Sequence, residues 1–418
     1  MSVLDEAPAA APPPLRRNRD FLLLWGGAGF TLLGSRASMV AYPLLLIWST
    51  GSAAAGAVAA AAAQLPHLLV QLPAGVLVDR CDRRRLMVLC SVGCALSTLS
   101  VVAAVASGRV WLAHLAAAAF VEGSLMVCYR LAERASVRHV VPAAQLTAAL
   151  SGSEARGRAA GLLGQPLGSV AFALARWSPF LLAGVAHLLS LAAVLLIRSP
   201  FQDPAEDRPP RGRLGPQIAQ GLRWLWRNTF LRLVMLLVSG SNVLFQALAL
   251  LPAFVLYEDG LSPGTVGVIA AISGGGGALG ALAGGRAMKL LGLPSLVRWA
   301  LLAWAVLVPA LALTRSPWLL GALFAVMSMV GGAVNVAGGV HQVLTTPDRL
   351  QGRVNSALQL MGSGANALGA LLGGLLLDAT GAAGTAAVLG AAMAALALTA
   401  LLIDLPRHHR NTPQGDQE

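Results

Sequence analysis

Residues 74–87 read AGVLVDRCDRRRLM, a short charged stretch with long apolar runs on either side. Upstream, residues 54–77 carry almost no charge, and downstream residues 86–106 carry none after Leu86. A helix needs about 20 apolar residues to cross a hydrocarbon core of ~30 Å. The stretch therefore reads as a tight turn between two membrane crossings. Arg80, Arg83, Arg84 and Arg85 outnumber Asp79 and Asp82 within it. Basic residues accumulate in cytoplasmic loops, so this turn is expected on the inner side.

The same alternation continues in both directions. Spans are expected at 21–48, 54–77, 86–106, 110–130, 156–177, 179–198, 230–256, 263–288, 294–314, 317–340, 355–377 and 383–404. The fold class is thus an all-α integral membrane protein of about twelve transmembrane helices. Composition agrees: 56% of the 418 residues are hydrophobic and 11% charged, against roughly 25% charged in a soluble protein, and the mean hydropathy is +0.70. A net charge of +12 does not point to nucleic acid, because the arginines lie between apolar runs and form no continuous patch. With the N-terminus inside, 26 of the 30 basic residues fall in cytoplasmic segments and only Arg109, Arg176 and Arg315 outside. Both termini are then cytoplasmic, in a multi-pass protein of the plasma membrane.

The one long polar interruption divides the chain. The expected organisation is an N-terminal tail over 1–20, a six-helix half over 21–198, a linker over 199–229, a second half over 230–404 and a tail over 405–418. Residues 218–227 can form an amphipathic helix on the inner leaflet. An offset of 205 residues pairs Gly157, Gly164 and Gly168 with Gly362, Gly369 and Gly373, and Gly75 with Gly280. These glycines are expected to let helices pack closely, and the repeat suggests duplication, one way in which transporters build alternating access. Cys81, Cys90, Cys94 and Cys128 read as reduced thiols with no metal-type spacing. No metal or cofactor is expected, and residues 1–14 do not resemble a cleavable signal peptide.

The Gly75, Asp79, Arg80, Arg83 and Arg84 pattern resembles the Gly-x-x-x-Asp-Arg-x-Gly-Arg-Arg signature of the major facilitator superfamily, with Asp82 in place of the second glycine. In that motif Gly75 would admit a neighbouring helix, Asp79 would accept hydrogen bonds from a helix end, and the arginines would hold the loop inside. The second-half counterpart, GALAGGRAMKLLG, has Gly284 where Asp79 would align. The segments RNRDFLLLW, GSRASMVAYPLLL, ARGRAAGLLGQPLGS and PDRLQGRVNS are similar to the bacterial drug- and siderophore-exporter branch, which includes enterobactin-exporter-like and macrolide-efflux-like proteins. Within the third, GLLGQPLGS is similar to the exporter signature of the fifth span, with Gln165-Pro166 for its Gly-Pro pair. The resemblance implies that spans 1, 4, 7 and 10 face a central cavity and that export is driven by protons.

Few polar side chains lie inside the spans. Glu122 is the one acidic residue deep within a span and Arg36 the clearly buried basic one. Either would cost about 2.5–3.5 kcal/mol facing lipid. Their similar depths suggest that they interact, with Glu122 as an exchangeable proton site. A static ion pair that fixes helix packing is the bland alternative. Asn242, Gln246 and Asn335 are candidate substrate-cavity residues, and Gln64 and Gln71 weaker ones, all of which interhelical hydrogen bonding would also explain. His67, His114 and His187 read as packing residues, and Trp25, Trp48, Trp111, Trp177, Trp299 and Trp318 as interfacial anchors.

An ATP-binding loop requires a lysine after Gly-x-x-x-x-Gly and before Ser or Thr; Lys289, the only lysine, is followed by Leu290. No soluble segment is long enough for an enzyme active site. The expected function is proton-coupled export of drug-like, antibiotic or secondary-metabolite molecules by a carrier that works as a monomer. The expected partners are a small-molecule substrate, protons and the lipid bilayer, with no nucleic acid. An importer of a small metabolite and a non-transporting membrane receptor are the alternatives.

Overall fold

The computed structural model describes residues 14–202, 223, 226, 229–346 and 348–402. The tails, most of the linker and the expected amphipathic helix lie outside them. Among the described residues the chain is helical throughout, without strands. The helices are α1 (Arg19–Thr50), α2 (Ala53–Leu69), α3 (Gln71–Arg80), α4 (Arg83–Ala106), α5 (Leu112–Val140), α6 (Leu146–Leu174), α7 (Ser178–Leu196), α8 (Thr229–Leu248), α9 (Leu251–Glu258), α10 (Gly264–Ala310), α11 (Pro317–Thr345) and α12 (Asp348–Leu402).

Among the described residues eight helices are long and apolar enough to cross a membrane, or nine if α2 and α3, bent by 52°, form one crossing. Two of the eight are too long for a single passage. The helical segment containing α10 runs for 50 residues and the apolar part of α12 for 45, and each breaks at a glycine with positive φ, Gly292 at 70° and Gly381 at 68°. Glycine reaches this region without steric cost, so each segment is two helices joined at its glycine, and each of the two is long enough for a crossing of its own. Helix α6 carries Glu154, Arg156 and Arg158 in its first half and is more polar, but its 29 residues are about 43 Å long at 1.5 Å per residue. With it, the described residues of every span expected from the sequence are helical apart from short turns and ends. Leu96, Leu163, Leu282 and Leu398 stand exposed on helix faces, as hydrocarbon allows and water would penalise. Trp111, Trp177 and Trp318 are exposed at helix starts, where aromatic belts form.

The chain forms two compact units. The first, Met1–Tyr42 with Leu65–Gly212, is cored by residues such as Leu24, Met87 and Tyr129. The second, Pro43–Gln64 with Arg213–Glu418, is cored by residues such as Leu248, Leu256, Trp304 and Val308. Residues 43–64, expected in the first half, thus pack within the second unit. Gly374 makes room for them, since a Cβ there would lie 2.2 Å from the Ala57 Cβ. The Asp378 carboxylate also caps α2, accepting from Ser52 Oγ (2.6 Å), Ala53 N (2.7 Å) and Ala54 N (3.1 Å).

The internal repeat is visible in the packing. In the first unit a Cβ at Gly164 would lie 2.4 Å from the Arg36 Cβ, and one at Gly168 would lie 2.4 Å from the Ala37 carbonyl. In the second unit a Cβ at Gly369 would lie 2.4 Å from the Val243 carbonyl and 2.8 Å from the Gln246 Cβ, and one at Gly373 would lie 2.1 Å from the Ala247 carbonyl. The same two glycines, four residues apart, seat α6 on α1 and α12 on α8. Gly157 and Gly362 do not share this role, since a Cβ at either meets nothing within 4 Å. Gly75 and Gly280 also differ: Gly280 presses on the Met329 carbonyl, whereas Gly75 faces open space. Close helix approach therefore does not explain Gly75.

Candidate functional site

In the first unit, Thr31, Ser38 and Tyr42 fall on one face of α1, with Ser38 and Tyr42 one turn apart. Ser38 Oγ donates to Glu122 Oε1 at 2.7 Å and the Tyr42 hydroxyl donates to Oε2 at 3.0 Å. His187, on α7, places Nε2 3.4 Å from Oε1, and Thr31 Oγ1 meets His187 Nδ1. Glu122 is 3% exposed and His187 fully buried. A buried carboxylate without partners is costly; here three side chains from two other helices engage both oxygens.

The cluster accommodates two protonation states of the imidazole. A doubly protonated ring donates from Nε2 to Glu122 and from Nδ1 to Thr31, whose hydroxyl can then point to Met126 Sδ at 4.0 Å. A neutral ring with its proton on Nε2 instead accepts the Thr31 hydroxyl at Nδ1. One hydroxyl rotation separates the two arrangements, and in each both ring nitrogens and the Thr31 hydroxyl have partners.

Arg36 is not among the partners of Glu122. Its Nη1 lies 3.9 Å from Met39 Sδ, and its stem packs at Gly164 of α6. The reason is angular: successive residues turn by about 100° around a helix, so Arg36 and Ser38 lie about 160° apart around α1. Of the two, it is Ser38 that reaches Glu122. A second buried pair escaped the sequence reading: Arg156 Nη2 meets Glu133 Oε1 at 3.0 Å, and Nη1 donates to the Trp25 carbonyl at 2.9 Å.

The turn that opened the sequence reading is a clasp. Asp82, the departure from the motif, N-caps α4 by accepting from Arg85 N at 2.8 Å, a role its carboxylate suits better than glycine. Arg83 Nη1 donates to the Phe201 carbonyl at 3.1 Å. Arg84 donates to the carbonyls of Ile197 (2.6 Å) and Ser199 (2.9 Å) and lies 4.8 Å over the Phe201 ring. Asp79 and Arg80 are exposed.

The second unit contains two adjoining cavities. One, of about 460 Å³, is walled by Phe245 and Trp304, and the other, of about 300 Å³, extends along α11 to Gln342 and Thr346. Asn242 and Asn335 line both. Gln246 lines neither; it lies in the α8–α12 contact, against Gly369. Among the described residues no His/Cys/Asp/Glu group is arranged to hold a metal.

Residues 9–416 match the transmembrane secretion effector family of the major facilitator superfamily. The chain belongs to this family. Proteins named multidrug efflux pump Tap are 26% identical in Mycobacterium tuberculosis over 414 residues, covering 96% of this chain and 97% of the relative. The relative from Mycolicibacterium fortuitum is 26% identical over 397 residues, covering 93% and 94%. Among solved structures, a point mutant of the nucleoside transporter NupG superposes with a TM-score of 0.72 at 11% identity, covering 92% of this chain and 99% of that one. A bacterial homologue of the human lysosomal transporter Spinster gives 0.69 at 14%, covering 93% and 96%. The structural likenesses establish the major facilitator fold, and family membership makes the chain a multi-pass membrane transporter of the major facilitator superfamily.

Membership in the family directs attention to the buried polar groups that its apolar helices carry. Of these the sequence reading found Glu122, and it also named Asn242 and Asn335, which stand on the cavity walls of the second unit. It missed Ser38, Tyr42, Thr31 and the role of His187. The one-turn spacing of Ser38 and Tyr42 was the available signal for α1; a lone histidine in an apolar run gave none.

Proposed function

We propose that this chain is a proton-coupled exporter of drug-like, antibiotic or secondary-metabolite molecules. The observation that carries the export reading is similarity to multidrug efflux pumps along nearly the whole chain. Proton coupling is supported by the Glu122–His187 pair, which is buried, ionisable and hydrogen-bonded in either protonation state of the ring. Asn242 and Asn335 are the cavity groups assigned to substrate. The carrier is taken to work as a monomer of two six-helix halves, with both termini cytoplasmic, because its arginines concentrate in the loops on that side.

The test is efflux of a preloaded fluorescent amphiphile from a pump-deficient bacterial strain, with and without a protonophore, beside Glu122→Gln. Protonophore-sensitive efflux that the variant lacks is expected. Efflux indifferent to the protonophore would refute proton coupling, and pH-dependent efflux surviving in Glu122→Gln would remove the carboxylate from that role.

A further inference from the structure

The two cavities of the second unit have unspent hydrogen-bonding capacity and almost no charge. Among the described residues no Asp, Glu, Lys or Arg lines either, and His341 is their single ionisable side chain. Several polar groups around the larger cavity are already committed: Ser241 Oγ donates to the Val238 carbonyl, Ser328 pairs with Ser273, and Trp304 Nε1 donates to the Met327 carbonyl. The side-chain amides of Asn242 and Asn335 make no hydrogen bond among the described residues. Thr346 is 5% exposed and its Oγ1, buried in the wall of the smaller cavity, has no hydrogen-bond partner among the described residues. Asn242 is half-buried and Asn335 exposed on the cavity wall, so each carboxamide can offer two donors and a carbonyl acceptor to a bound molecule, while Thr346 Oγ1 is the buried group that would ordinarily be satisfied. The apolar counterpart is equally specific: Phe245 and Trp304 pack edge to face at 4.7 Å and are already fixed by that contact and by the Trp304 hydrogen bond.

We propose that the transported molecule is an uncharged, hydrogen-bonding amphiphile. Its ring system lies against Phe245 and Trp304, its polar groups meet Asn242 and Asn335 where the cavities join, and an extended neutral end reaches Thr346. A fixed charge here meets no counter-charge among the described lining residues, and burying it costs more than neutral amides return. The inference rests on the reading that these cavities belong to the export path, and it adds the chemical class of the substrate.

Three benzophenone photoprobes that differ only in the tail, a carboxamide, a trimethylammonium or a carboxylate, test it on the full-length protein in native membranes. Labelled peptides are located by mass spectrometry, and efflux of each probe is followed separately. The carboxamide probe is expected to label segments containing Phe245, Trp304 or Asn335, and to do so about fivefold less in Asn335→Leu, the loss of one neutral hydrogen bond. Asn335→Gln should restore labelling. If Asn335→Leu lowers the melting temperature, Thr346→Val supplies the second comparison, with the same expected direction. Preferential labelling of these segments by a charged probe, undiminished carboxamide labelling in Asn335→Leu and Thr346→Val, or no labelling of these segments would each overturn the proposal. Carboxamide labelling without protonophore-sensitive efflux would uphold the binding class and overturn the exporter reading instead.

Discussion

Replacing Asp378 by alanine should release the start of α2. The first amides of any helix lack an intrahelical acceptor, and for Ala53 and Ala54 the acceptor is the Asp378 carboxylate, at 2.7 and 3.1 Å. The same group accepts from Ser52 Oγ at 2.6 Å. Hydrogen bonds to a charged group contribute about 1.5–3 kcal/mol, and loss of a helix N-cap costs about 1 kcal/mol. Asp378 is exposed, so the lower end applies, about 1.4 kcal/mol, which is a tenfold change in the local opening equilibrium. Hydrogen–deuterium exchange by mass spectrometry reads this directly: peptides covering residues 52–56 should exchange about tenfold faster in Asp378→Ala, while those from α4 and α5 stay unchanged. Asp378→Asn, which keeps one acceptor, should fall between. Unaltered exchange at residues 52–56 in a stable Asp378→Ala protein would refute the argument that this carboxylate holds the segment.

Other substitutions probe the packing and the buried charges. Gly168→Val and Gly373→Val should each lower stability by about 1–3 kcal/mol through overpacking, because even a Cβ meets a backbone carbonyl there; Gly157→Ala, with open space around it, should leave the melting temperature unchanged or slightly raised. Arg156→Met should cost about 3–5 kcal/mol by stranding Glu133, and the double change Arg156→Met with Glu133→Leu should recover most of it, as thermal unfolding in detergent would show. His187→Gln keeps a donor for Glu122 but cannot take up a proton, so the protein should fold while efflux loses its dependence on pH; retained dependence would exclude the imidazole from coupling.

The sequence by itself determined the architecture. Length and polarity of the apolar runs place the crossings whatever their neighbours, because bilayer thickness is an external ruler. The glycines at 164, 168, 369 and 373 were legible as packing sites because a helix face without side chains has few other uses. Asn242 and Asn335 were legible because carboxamides are rare in apolar helices. What surrounds Glu122 was not. Depth alone suggested Arg36, but a contact also requires the right rotation about the helix axis, and two residues of difference turned Arg36 away and brought Ser38 in. The same limit hid His187, since nothing in α7 taken alone says which helix it faces. Gly75 misled for a related reason: spacing identifies a motif, while whether a neighbour occupies the space above a glycine depends on helices distant in sequence. The grouping of residues 43–64 with the second unit likewise depends on partners more than 300 residues away, the Asp378 carboxylate and the space left by Gly374. Periodicity and polarity belong to a segment and survive in isolation; the partners of a buried polar group belong to the packing of several segments at once, and only the tertiary structure fixes them.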